Sequence, residues 1–209
     1  MRRHDIDSAA AVAHLGAADR RLAPLMTRIG PFALELKPLR SVFAALAEAI
    51  VYQQLSTKAA ATIFARLCAH FPRGAAGLTA TRLLALPDSA IRGAGVSGPK
   101  LRSLRDLAAR SQRGEVPTLA AIRRLEDAEI VARLTAVHGI GPWSAEMFLM
   151  FHLGRPDVLP LGDYSLRKAF AQAYALADLP TPRQLEQHGE AWRPFRSVAS
   201  WYLWQSLAR

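Results

Sequence analysis

Cysteine is nearly absent. The one cysteine, Cys68, excludes an internal disulfide and any four-cysteine zinc or iron–sulfur site. It lies in "TIFARLCAHF" beside Phe64, Leu67 and Phe71, which suits a buried apolar thiol. The histidines are scattered without metal-ligand spacing, so zinc is not expected. Long hydrophobic runs are missing too, and no stretch approaches the ~18 apolar residues of a membrane span. The first residues, "MRRHDIDSAAAVAHL", put Asp5, Asp7 and His14 where an export signal needs an unbroken apolar stretch. No signal peptide is expected, and the cytoplasm is the simplest location. Alternating strand patterns are almost absent. Lysine is scarce and confined to Lys37, Lys58, Lys100 and Lys168.

Arginine is abundant instead. The 27 Lys and Arg against 17 Asp and Glu leave a net charge of +10, carried mostly by guanidinium groups. Planar, multi-donor cations suit a phosphate-rich partner. A basic proteome with a solvated surface accounts for the charge equally well. The length of 209 residues, half of them hydrophobic, suits one large domain or two small ones sharing a core.

The patterning predicts an all-α fold of roughly ten helices with short connections. Val42, Phe43, Leu46 and Ile50 fall on one helical face. Ser56 is expected to cap the next helix, which Pro72 ends. Thr81 and Asp88 are read as caps of two short helices split by Pro87. "GAGVSGPK" (93–100) is read as a tight glycine turn before a helix carrying Leu101, Leu104 and Leu107. Thr118 caps a further helix, and another runs from about Asp127 to Val137. Helices then recur from Pro142, after Asp163, after Thr181 and after Pro194.

One stretch carries chemistry. "LTAVHGIGPWSAEMFLM" reads as helix, Gly-Ile-Gly, helix. Gly139 and Gly141 permit positive φ and close backbone approach. The unpaired N–H groups at the start of the second helix, with the Ser144 hydroxyl nearby, favour an anion. A DNA phosphate fits, and binding there reads no sequence. Ile140 is expected to plug inward and lock the two helices. A bare G-x-G is more often a turn that binds nothing. Within L-x-x-x-x-G-I-G-x-x-S-A in a basic all-α chain, the phosphate site is preferred.

This stretch resembles the helix-hairpin-helix DNA glycosylase superfamily, in which a Gly/Pro-rich loop and an aspartate follow the hairpin. Here the loop is "GRPDVLPLGD", ending at Asp163. "AIVYQQLSTKAAATIFARL", "GVSGPKLRSLRDLA", "GDYSLRKAF" and "WRPFRSVASWYLW" resemble the AlkA, or 3-methyladenine DNA glycosylase II, branch. The matching segments span about residues 40–205 and are specific only together. About 40 residues precede them, so the resemblance implies a compact form lacking the branch's N-terminal β domain. It further implies two helical lobes, 42–155 and 1–41 with 156–209, and an active-site cleft between them.

Breaking an N-glycosidic bond leaves positive charge on the sugar. A nearby carboxylate stabilises that charge and orients water. The resemblance gives this role to Asp163; the alternative is a plain helix N-cap, and the two are compatible. Asp157 is read as a loop residue. Relatives that also cut the backbone carry a lysine where this chain has Trp143, before Ser144. Tryptophan forms no Schiff base, so a monofunctional enzyme that leaves an abasic site is implied.

Alkylated purines are electron-poor and stack on aromatic faces. The resemblance places Trp143 and Trp204 at pocket positions and Met147 where an aromatic is common, leaving the pocket more open there. Tyr52 and Gln53 are further pocket candidates, whereas Phe148 and Trp201 suit the core. Gln54, with Leu55 adjacent, matches the plug that fills the hole left by a flipped base. The alternative is that Gln53 and Gln54 tie backbone ends together. Backbone carbonyls of Thr135, Val137 and Gly139 match a site for structural Na⁺ or K⁺. His138 stands where relatives often have proline, leaving the hairpin less rigid. Lys58, Lys100 and Arg167 are candidate phosphate contacts.

The expected activity is excision of 3-methyladenine-type bases from duplex DNA during base excision repair. The expected partner is double-stranded DNA containing alkylated bases, bound by a monomer in a bacterial nucleoid. The alternative is a non-catalytic hairpin protein that senses DNA damage or architecture. It would have no need of Asp163.

Overall fold

The structure is a computed structural model that describes residues 6–208. Asp5 and the rest of 1–5, which belong to the expected terminal lobe, lie outside the described residues. Every regular element among the described residues is helical. The helices are α1 (Ser8–Ala18), α2 (Leu22–Ile29), α3 (Val42–Tyr52), α4 (Thr57–Cys68), α5 (Ala80–Ala85), α6 (Asp88–Gly93), α7 (Gly98–Gln112), α8 (Leu119–Ile122), α9 (Asp127–Thr135), α10 (Pro142–Phe151), α11 (Tyr164–Ala173), α12 (Pro182–Gly189) and α13 (Arg196–Leu207). Short 3₁₀ turns occupy Gly74–Gly77 and Glu190–Trp192. Among the described residues no helix is long and apolar enough to cross a membrane.

Most helix starts follow their sequence signals. The hydroxyls of Ser56 and Thr118 accept backbone N–H bonds from Ala59 and Ala121. Thr181 and Gln184 form a reciprocal capping box at α12. Two starts differ from expectation. Thr79, not Thr81, caps α5, because its hydroxyl reaches the Arg82 N–H. Asp88 is the first residue of α6 rather than its cap, a position Pro87 takes with extended backbone. α1 and α2 were not anticipated. α1 buries only Ala11 and Leu15, so it has too few apolar positions to register as a stripe.

The chain divides into two compact units, Met1–Lys37 with Glu146–Arg209, and Pro38–Ala145. The division falls inside α10, ahead of the 155/156 boundary that the resemblance implies. It follows packing, which need not break where the helical pattern breaks.

In the terminal unit α13 packs against α1, α2 and α11. Leu15, Leu22, Leu166, Leu185, Trp192 and Tyr202 are buried in its core. At the edge of that core is a buried carboxylate. Asp19 accepts from Trp192 Nε1 and His188 Nε2, both at 2.8 Å, from the Tyr174 hydroxyl, and from the Leu22 N–H. Burial alone would raise its pKa. These donors outweigh burial and hold it well below the ordinary carboxylate range.

In the Pro38–Ala145 unit α7 packs against α3, α5 and α6. Val42, Phe43, Leu46 and Ile50 are all buried, as their spacing predicts. Cys68 is buried, and burial pushes its thiol up to about 11, which suits an inert packing residue.

Candidate active site and nucleic-acid interface

The glycine hairpin lies in the Pro38–Ala145 unit. α9 ends at Thr135, two residues before the expected Val137. Gly139 then turns with φ +81°, in the left-handed region. A Cβ there would meet Ser103 Oγ of α7 at 2.3 Å, so both the turn and the close approach require glycine. Ile140 is buried, with its N–H donating to the Val137 carbonyl at 3.1 Å. Pro142 opens α10 in the first turn, where its missing N–H costs nothing. Gly141 is exposed at this helix start and Ser144 is partly exposed. The positive end of the helix dipole favours an anion here.

His138 is held more firmly than its sequence position implies. Its backbone N–H donates to Asp106 Oδ2 of α7 at 2.7 Å, a bond that proline could not make. Arg110 Nε donates to the same oxygen at 2.9 Å. Burial alone would raise the Asp106 pKa. The His138 N–H and Arg110 outweigh it and lower the pKa, so the carboxylate bolts the hairpin to α7 as an anion.

The "YQQL" segment follows α3. Tyr52 is partly buried and meets Phe64 edge-on, with ring centroids 6.4 Å apart. Burial, with the Glu48 charge, raises its pKa. Gln53 sends its side-chain amide to the Gly139 carbonyl at 2.9 Å. Gln54 and Leu55 are exposed, and Gln54 has φ +56°. Lys58 is exposed on the first turn of α4.

Two expected phosphate contacts have other tasks. Lys100 Nζ is half-buried and donates to the carbonyls of Val51 and Gln53 at 2.8 and 2.7 Å. Burial lowers its pKa. Arg167 Nε donates to the Pro180 carbonyl at 2.7 Å, tying α11 to the segment before α12. Sequence spacing finds cations, but it does not show which backbone carbonyls lie within their reach.

The expected carboxylate lies in the terminal unit. Asp163 is the N-cap of α11, its Oδ1 accepting the Leu166 N–H at 2.6 Å. The same oxygen accepts Trp204 Nε1 of α13 at 3.1 Å. Trp204 stacks on Phe151, with centroids 6.1 Å apart, and Met147 lies one turn earlier on α10, partly buried. Trp201 and Phe148 are buried, as core residues should be. Asp157 is a loop anchor: Arg196 Nε and Arg193 Nη1 each reach its carboxylate at 2.7 Å.

Two residues beside Asp163 were missed from the sequence. Tyr164, the next residue, is 65% exposed, a large aromatic left in solvent. Its place after a candidate carboxylate was the available signal. Glu146 is partly buried on α10. Burial and, second, the Asp163 charge raise its pKa. Nothing in "SAEM" by itself signals that pairing.

Trp143, at the start of α10, is 48% exposed. Its exposed ring offers a stacking face.

An all-helical chain with a glycine hairpin, an exposed loop after α3 and a capped carboxylate after a Gly/Pro-rich loop has the features of a helix-hairpin-helix protein of DNA repair. The family described as "HhH-GPD superfamily base excision DNA repair protein" matches residues 47–194, and the chain belongs to it. It is 33% identical to DNA-3-methyladenine glycosylase 1 of Schizosaccharomyces pombe, over 92% of this chain and 85% of that one. Among solved structures it is similar to the S. pombe 3-methyladenine DNA glycosylase Mag1 in complex with abasic DNA, with TM-score 0.83 and 31% identity over 96% of this chain and 97% of that one. It is also similar to a DNA-3-methyladenine glycosidase of Bacillus halodurans, with TM-score 0.86 and 36% identity over 99% and 92% of the two chains.

Proposed function

We infer that this chain is a monofunctional DNA glycosylase that hydrolyses the N-glycosidic bond of alkylated bases in duplex DNA and leaves an abasic site. The observation that carries the reading is the Asp163 carboxylate, oriented by the Trp204 indole and by the first turn of α11.

A base alkylated at a ring nitrogen is cationic and leaves as a neutral molecule with the electron pair of the C1′–N bond. The sugar is left as an oxocarbenium-like cation. Water adds its oxygen to C1′ and gives up one proton. Asp163 supplies negative charge to the cationic sugar and orients the water. Two donors on Oδ1 fix the carboxylate plane before substrate arrives, so little reorganisation accompanies the chemistry.

Trp204 and Tyr164 supply aromatic faces for an electron-poor base, and Met147 leaves space for substituents. The hairpin at Gly139–Gly141, with Ser144 and Lys58, grips the phosphate backbone, and Gln54 with Leu55 fills the gap left by the flipped base. The carbonyls of Thr135, Val137 and Gly139 would hold a monovalent cation. They are hard oxygens, two of them beyond the C-terminal, electronegative end of α9. A carbonyl has two lone pairs, so the bonds from Ile140 to Val137 and from Gln53 to Gly139 leave room for an ion. The ion would add positive charge facing a phosphate.

Free-base release from methylated duplex DNA, followed by chromatography of the supernatant, tests the reading. Release of 3-methyladenine without strand cleavage is expected. Tight DNA binding without release of any base would favour the damage-sensing alternative.

A further inference from the structure

The segment that presents Gln54 and Leu55 is held from two sides. α3 ends at Tyr52 without a glycine, and helix ends leave carbonyls that need donors. Lys100, in the first turn of α7, fills that need. Its ammonium bridges the Val51 and Gln53 carbonyls at 2.8 and 2.7 Å. The side chain of Gln53 runs the other way and donates to the hairpin carbonyl of Gly139 at 2.9 Å. Gln53 is thus gripped through its backbone by α7 and through its amide by the hairpin.

The next residue shows what the grip achieves. Gln54 has φ +56°, a left-handed conformation that a non-glycine residue keeps only when its surroundings impose it. That turn leaves Gln54 and Leu55 standing exposed beyond α3. An amine drawn half out of water to serve two carbonyls is a costly cap for a short loop, since a glycine would end the helix without it.

We propose that Lys100 and Gln53 are positioning residues that lock Gln54–Leu55 in a wedge conformation and couple the wedge to the phosphate-gripping hairpin. Docking of the hairpin on the backbone then delivers an already formed wedge to the base stack. The proposal rests on the reading of Gln54–Leu55 as the plug. It also removes Lys100 from the phosphate contacts.

The test uses the full chain with Lys100→Met, Gln53→Ala, Lys100→Arg and the double variant Gln54→Ala/Leu55→Ala. Single-turnover excision is measured on a duplex with a paired alkylated base and on the same lesion in single-stranded DNA. Duplex binding is measured from 50 to 200 mM salt, roughly the range in which phosphate contacts are resolved. Lys100→Met and Gln53→Ala are expected to slow excision of the paired lesion about tenfold or more, because forced unstacking is what the wedge supplies. The single-stranded lesion should be affected far less. The slope of log Kd against log salt should not change, and Lys100→Arg, which keeps several donors, should recover part of the rate. A slope reduced by about one in Lys100→Met would make Lys100 a phosphate contact and overturn the proposal. So would equal losses on paired and single-stranded lesions. If Gln54→Ala/Leu55→Ala excises the paired lesion at the unmodified rate, the plug reading itself fails. If that variant is slow but Lys100→Met and Gln53→Ala are not, only the positioning role fails.

Discussion

Trp204 of α13 donates its indole N–H to Asp163 Oδ1 across 3.1 Å, while its ring stacks on Phe151 of α10. A single side chain therefore does two things. It orients the candidate carboxylate and sets an aromatic plane beside it. Trp204→Phe separates the two. Phenylalanine keeps a stacking face but loses the donor, and a hydrogen bond to a charged group is worth about 1.5–3 kcal/mol. Single-turnover excision of a paired alkylated base should fall roughly tenfold to a hundredfold, given about 1.4 kcal/mol per tenfold. Duplex affinity, measured by fluorescence anisotropy, should change little.

Gly139→Ala should damage the hairpin directly. The added methyl would lie 2.3 Å from Ser103 Oγ, and the φ of +81° adds strain for any L side chain. A left-handed non-glycine residue costs about 1–2 kcal/mol before the clash is counted. Duplex affinity should weaken by similar factors for damaged and undamaged DNA, since phosphate contacts carry no sequence information. Adding Ser103→Ala should recover part of the loss by removing the hydroxyl, and electrophoretic mobility shift assays would show both effects.

The sequence made the hairpin and its carboxylate legible because both depend on local signals. Gly139, Ile140 and Gly141 announce a turn, and Asp163 before "YSLRKAF" announces a helix cap. The buried face of α3 followed from 3.6-residue spacing in the same way. What stayed hidden is long-range. Nothing near Lys100 says that its ammonium meets the end of α3, far away in sequence. Nothing near His138 says that Asp106 accepts its N–H. Glu146 and Asp163 are brought together by folding alone, and the Asp19 network joins α2 to residues at the far end of the chain. α1 was missed for another reason: an alanine-rich helix with two buried positions has no stripe to read.

The Asp19 network sets the acid stability of the terminal unit. The pKa of this carboxylate is lower folded than unfolded, so it stabilises the fold above the unfolded value of about 4. That contribution is lost as pH falls from there through the folded pKa. Breaking a buried ionic hydrogen-bond cluster by removing one partner costs about 3–5 kcal/mol. Asp19→Ala should therefore lower the melting temperature sharply at pH 7. The gap from the unmodified protein should shrink as melting is followed below about pH 4.

The family resemblance puts Trp143 at the position where strand-cleaving relatives carry a Schiff-base lysine. Incubation with abasic or alkylated duplex and borohydride should therefore trap no covalent protein–DNA complex on a denaturing gel. Trp143→Ala should slow excision through lost stacking, by roughly tenfold for an aromatic contact worth about 1–3 kcal/mol per base.

Asp163 is proposed to do chemistry beyond capping α11. Asparagine accepts the Leu166 N–H and the Trp204 indole much as aspartate does, so Asp163→Asn keeps the cap while removing the charge. Base release from methylated duplex DNA, measured side by side for the unmodified protein and Asp163→Asn at matched DNA occupancy, isolates that charge. Release should fall by about a hundredfold or more in the variant, the scale expected when a group that stabilises transition-state charge is lost. Equal release by both proteins, above the spontaneous background, would contradict the account.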